Sequence, residues 1–140
     1  MDSTDLRYVV FHDLNHATAA LLAADQSITP VSLCTARGAV RYAGPAYLLD
    51  VVRLAVDNTA TDPKVVQDAL IDCRDEPALA FAALRTGWRT VIFSGAKVLQ
   101  REVAAAAGEF GATLVARAPR ALDLLDQGDP LDACLNWYAR

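Results

Sequence analysis

Residues 69–95 read ALIDCRDEPALAFAALRTGWRTVIFSG. An apolar approach runs into Asp72, Cys73, Arg74, Asp75 and Glu76; an alanine- and leucine-rich stretch comes next, Gly87 stops it, and TVIFSG (90–95) returns to β-branched and aromatic residues. Strand, helix and strand in so short a span form a βαβ unit, which lays two parallel strands side by side with a helix across one face. In such folds the residues just past a strand's C-terminal end form the floor of a ligand site. Asp72 stands there and is the first candidate.

The same alternation extends in both directions. RYVVFH (7–12) reads as a strand, followed by a helix over 13–24 with Asp13 as its cap and Leu14, Ala17, Leu21 and Leu22 at helical spacing. ITPVSLCT (28–35) is the second strand; a glycine-bearing loop leads to a helix carrying Tyr47, Leu48, Val51 and Val52, and the polar spacer 57–63 resets the chain. A third strand is expected over 65–72, a helix over 77–86 closed by Gly87, and a fourth strand over 90–95. Residues 97–109 form a helix, 112–116 a fifth strand, and 122–126 a short helix. Gly128, Asp129 and Pro130 then supply a stop, an N-cap and an N1 proline for a terminal helix over 130–138. The expectation is one α/β domain over 1–140, with five βα units on a parallel sheet and 121–140 as a helical cover.

Composition narrows the functional classes. The chain has 140 residues and a formal charge of −4, with no Lys/Arg block, so nucleic acid is not an expected partner. The first residues, MDSTDLRYVV, lack a basic segment followed by a long apolar one, and no stretch approaches the ~18 apolar residues of a membrane span, so a cytoplasmic protein is expected. Cys34, Cys73 and Cys134 are widely spaced and odd in number, which suits reduced thiols rather than a redox pair or zinc knuckle.

His12, Thr35, Asp72, Ser94 and Arg117 each fall at or just beyond a strand's C-terminal end, where side chains of separate loops converge. Arg37 and Arg41 flank Gly38, and Ser94, Gly95 and Lys97 lead into a helix start; both groups suit an anion, with solvated surface charge as the competing reading. His12 and His16, spaced i, i+4, are weak metal candidates because two imidazoles need a third ligand. Cys73 beside Asp72 is another, the alternative being a buried thiol.

Further residues carry a family likeness. PVSLCTARGAVRYAGPAYL (30–48) resembles the second βα unit of class II, zinc-dependent fructose-bisphosphate aldolases, through Gly38, Ala39, Arg41, Tyr42, Ala43, Gly44, Tyr47 and Leu48. Residues 69–95 are similar to the third and fourth units of that family, and LQREVAAAAGEFGATL (99–114) more weakly to the helix and strand after them. The likeness spans about 9–118 and corresponds to the first half of an eight-unit barrel. It implies an incomplete, half TIM barrel; an open, flavodoxin-like three-layer sandwich is the alternative.

In that family zinc held by imidazoles polarises a ketose-phosphate carbonyl while a carboxylate moves the proton. By resemblance Asp72 matches the proton-transferring Asp, but Cys73 stands where the first zinc-binding His is expected. Ala36 replaces a substrate-binding serine, Arg37 a loop proline, and Ser94 the Asp of an Asp-Gly-Ser turn, and 114–117 lack a glutamate. The remaining metal imidazoles have no counterpart here, so neither zinc nor any other cofactor is expected. The resemblance implies a non-catalytic or weakly catalytic aldolase-like domain that binds a phosphorylated metabolite or a protein partner. A lyase or isomerase using Asp72 as general base on a sugar-phosphate or keto-acid is the alternative. A part-barrel leaves strand edges uncovered, from which self-association as a dimer is expected.

Overall fold

The computed structural model describes residues 6–140, so the reading of the first five residues as free of a leader lies outside it. Strands β1 (Arg7–Phe11), β2 (Val31–Thr35), β3 (Leu70–Asp72), β4 (Thr90–Ile92), β5 (Thr113–Val115) and β6 (Ala121–Asp123) form a single sheet. Its order is β5-β4-β3-β2-β1-β6 and every pairing is parallel. The helices are α1 (Leu14–Ser27), α2 (Ala39–Ala43), α3 (Pro45–Asn58), α4 (Lys64–Asp68), α5 (Pro77–Thr86), α6 (Lys97–Glu109) and α7 (Pro130–Tyr138). The α/β class is as expected. Among the described residues no helix is long and apolar enough to cross a membrane.

Because β1 to β5 follow one another in space, each right-handed crossover steps the same way and delivers its helix to the same face. The helices accordingly contact one another in the series α7, α1, α3, α5, α6. Alternate strand residues Val9, Phe11, Leu33, Ile71, Val91 and Phe93 meet them in the main core. The opposite face carries a smaller cluster of strand residues alone, Cys34, Leu70 and Ile92 with Tyr8, Val10 and Val115 against them. The three-layer sandwich, which needs helices on both faces, is therefore not the arrangement observed.

The sheet is also curved. Five strand gaps would set the outer strands of a flat sheet about 24 Å apart. Yet six Cα steps, from Val115 to Ala121, join β5 to β6 and reach only about 21 Å fully extended, while also returning to the opposite end of the strands. The edges must approach one another, and the 116–120 link crosses the concave face. There Pro119 helps to enclose a cavity of about 350 Å³ with Tyr8, Ser32, Leu70, Thr90 and Val115.

Three expectations are corrected. The segment 122–126 is not a short helix: 121–123 form β6, and Tyr8, Val9 and Val10 pair with Ala121, Leu122 and Asp123. The exposed backbone of β1 supplies this partner through tertiary pairing, which a three-residue run cannot announce by periodicity. The cover contributed by 121–140 is thus a strand plus α7, and the sheet has six strands instead of five. The strand expected over 65–72 is α4 followed by only three strand residues; Asp62 Oδ1 accepts from Lys64 N at 2.9 Å and starts the helical turn. The loop after β2 contains α2, and β2 itself begins at Val31 because α1 runs on to Ser27 and ends at Ile28 in the left-handed region, φ 53°.

Other local readings hold. Asp13 Oδ1 accepts from His16 N at 2.8 Å and Asp129 Oδ1 from Leu131 N at 3.0 Å, capping α1 and α7. Trp88, fully buried between α5 and β4, donates Nε1–H to Pro45 O at 2.9 Å and so ties the start of α3 to the core. Burial of a side chain this size contributes at least the ~1.5–3 kcal/mol of a large apolar residue.

Candidate functional site at the strand ends

Strand alternation decides which residues face the concave side. Asp72 ends β3 on that side and Cys73, one residue later, turns into the helical core. Asp72 is 6 % exposed, its main-chain N–H donates to Thr35 Oγ1 at 2.9 Å, and its Oδ1 accepts from Arg74 N at 3.0 Å. Arg74 has φ 55°, and its carbonyl accepts from Ser94 N at 2.7 Å. One left-handed residue thus fixes both the carboxylate of β3 and the loop after β4.

Asp72, Ser94, Arg37 and Arg117 line a single cavity of about 320 Å³ with Ile92, Ala116 and Ala118. Arg37 reaches it from the loop after β2, Ser94 from the loop after β4, and Arg117 from the 116–120 link. The three are exposed around a buried carboxylate. Gly38, at φ 81°, admits the side chain of Arg74: a Cβ there would stand 3.3 Å from Arg74 Cδ. The Arg37 loop is thereby seated against the β3 loop. Two guanidinium groups and a hydroxyl suit an oxyanion, and a carboxylate between them suits a hydroxyl or a transferable proton.

The other sequence candidates divide plainly. Thr35 lies behind Asp72 and acts on it through the hydrogen bond to its N–H. Arg41 is not among the cavity residues; it forms an ion pair with Glu76, with Nε donating to Oε2 at 3.3 Å, and the Glu76 hydrogen bond raises its pKa further. Lys97 opens α6 outside the cavity. Gly95 is sterically required: a Cβ would come within 2.5 Å of Phe93 Cζ.

His12 and His16 sit at the end of β1, with ring centroids 5.6 Å apart. His12 Nε2 lies 2.6 Å from Asp123 Oδ1, and His16 Nδ1 accepts from His12 N at 3.1 Å. Both imidazoles are thus engaged locally, and neither lines the cavity at Asp72. Among the described residues no three His, Cys, Asp or Glu side chains are grouped to hold a metal. Cys73 is fully buried and burial pushes its thiol up to about 12, with Asp72 and Glu76 adding to the effect. Cys73 faces the core as a neutral thiol, and among the described residues Asp72 is the one acid lining the cavity.

Two residues of the site region carry no signal in the sequence. Arg74 acts through main-chain atoms in a rare conformation that an arginine does not advertise, and Asp123 falls in a segment whose pattern reads as helix. Arg117 is visible as a charge following a strand. The Cys34 thiol is pushed up to about 12 chiefly by burial, then by the charges of Asp72 and Asp123, which marks it as lying on the concave face between the two acids.

No family model matches the chain. The plasmid fructose-bisphosphate aldolase of Cupriavidus necator is 32 % identical to it over 84 residues, which make up 60 % of this chain and 24 % of that aldolase. The shared segment therefore spans about a quarter of the aldolase's length, and it establishes a distant relationship between this chain and an aldolase.

Proposed function

We propose that this is an aldolase-derived half-barrel that binds a phosphorylated small metabolite between Arg37, Ser94 and Arg117, with Asp72 contacting the ligand's hydroxyl or carbonyl end. The observation that carries it is the convergence of two arginines from different loops on one buried carboxylate at the C-terminal ends of the strands. The half-barrel reading is supported by the sequential order of β1 to β5, the single helical layer and the curvature that brings the outer strands toward one another. The distant aldolase relationship supports the substrate class. Binding without zinc-dependent turnover is favoured because Cys73, next to Asp72, is turned into the core as a buried neutral thiol.

The alternative is a lyase or isomerase in which Asp72 acts as general base. It is favoured by one feature, the tethering of the Asp72 carboxylate by Arg74 N–H inside the cavity, which orients the acid. Self-association belongs to the same proposal: β5 is the outermost strand and pairs only with β4 among the described residues, leaving an edge for a second copy.

Thermal unfolding against a panel of triose, pentose and hexose phosphates tests the reading. Stabilisation by at least one of them, lost in Arg37→Gln and Arg117→Gln, is expected. No stabilisation by any would sink the binding proposal. Aldol cleavage that disappears in Asp72→Asn would replace it with the catalytic alternative.

A further inference from the structure

A second cavity, of about 390 Å³, lies at the opposite end of the sheet, lined by Leu6, Arg7, Tyr8, Arg120, Trp137 and Arg140. Arg7 opens β1, Arg120 immediately precedes β6, and Trp137 and Arg140 come from the last turn of α7 and the residues after it. Three distant parts of the chain thus bring three guanidinium groups to one place in a molecule whose net charge is −4. Arg7 Nη2 donates to the main-chain oxygen of Arg140 at 2.6 Å, which fixes the two segments against each other.

The lining is cationic. Among the described residues no acidic side chain lines the cavity, and the guanidinium groups of Arg120 and Arg140 form no ion pair. Both instead lie over the Trp137 ring, with guanidinium carbons 5.3 and 5.8 Å from its centroid. Cation–π attraction holds each group there, but two like charges on one indole repel each other. The Trp137 Nε1–H itself is shielded from water and has no acceptor among the described residues.

From this donor-rich lining we infer that the cavity is an anion site for a small phosphate-bearing molecule, separate from the site at Asp72. Guanidinium forks match phosphate oxygens bidentately, and an anion between Arg120 and Arg140 turns their repulsion into shared attraction. The cavity is of small-ligand size, and the indole offers apolar contact.

Pyrophosphate is the probe, titrated calorimetrically at low ionic strength into the full chain carrying Arg37→Gln and Arg117→Gln, so that the strand-end cavity does not contribute. Saturable binding is expected in that background, weakened tenfold or more by adding Arg120→Gln or Arg140→Gln. Both side chains are exposed, so their replacement leaves the core intact. A pyrophosphate-dependent change in tryptophan emission that vanishes in Trp137→Phe is the second expected signal, because Trp88 lies buried away from this cavity. Absence of saturable binding in the doubly substituted background, or binding that persists when Arg120 and Arg140 are both replaced, would overturn the assignment.

Discussion

The main-chain N–H of Arg74 donates to Asp72 Oδ1 at 3.0 Å while Arg74 itself stands at φ 55°. A non-glycine residue in the left-handed region costs of order 1 kcal/mol, and a β-branched one more. The fold bears this cost where the carbonyl of Arg74 also receives Ser94 N. Arg74→Gly should therefore leave stability within about 1 kcal/mol of the parent, because the backbone strain it relieves offsets the entropy it adds. Arg74→Val should lose about 1–3 kcal/mol. Urea unfolding of the two variants separates them, and equal losses would show that the side chain of Arg74, not its backbone, matters.

Behind Asp72, the hydroxyl of Thr35 does a job that a neighbouring carbonyl does elsewhere in a sheet. It accepts from Asp72 N at 2.9 Å in a fully buried setting. Thr35→Val preserves shape but strands a buried N–H, at a cost of about 1–3 kcal/mol. Thr35→Ser keeps the acceptor and should cost less. Ligand affinity at the strand-end cavity should fall in the valine variant, since the main chain that carries the Asp72 carboxylate loses its anchor; calorimetric binding and denaturation on the same samples test both effects.

Gly95 and Phe93 make the loop after β4 a single-solution turn. Phe93 is fully buried, so its ring has nowhere to move when a methyl group appears 2.5 Å from Cζ. Gly95→Ala should destabilise by about 1–3 kcal/mol, the usual cost of overpacking a well-filled core. It should also displace Ser94 and weaken binding in parallel, which thermal unfolding with and without ligand would show.

These positions mark how far the sequence can be read. The βαβ rhythm, the α1 and α7 caps at Asp13 and Asp129, and the burial of alternate residues in β1 are matters of local patterning, because helices and long strands carry many residues of one periodicity. β6 is not: it exists through its pairing with β1, and of the strand read over 65–72 only Leu70–Asp72 is one, held by β2 and β4. Within the site, Asp72, Ser94 and Arg37 are legible as polar residues at strand ends. Arg41 has the same sequence signature as Arg37 but is drawn away by Glu76, one loop distant, a competition that no linear pattern reports. Cys73 reads as a metal candidate beside Asp72, but one step along a strand exchanges the cavity face for the core, and its side chain lies on the core side.

The three thiols give the last prediction, on alkaline stability. Burial pushes Cys34 and Cys73 from 9.0 to about 12 and Cys134 to about 11, and it raises Tyr138 in the same direction. In the unfolded chain these thiols release protons above about pH 9, whereas the folded state holds them to pH 11–12. The native state then binds more protons, so stability falls as pH rises between those limits. Their contribution is fully present below pH 9. The urea midpoint should hold steady from about pH 7 to about 8.5 and then fall progressively to about pH 10.5, with a shallower fall in Cys34→Ala and Cys73→Ala once their own loss at about pH 7 is subtracted. Buried neutral thiols also react slowly. A disulfide reagent at about pH 8 should leave the native chain unlabelled and modify Cys34, Cys73 and Cys134 after denaturation; rapid labelling of Cys34 in the folded protein would mean that the concave face is open to solvent and that the 116–120 link does not shield it.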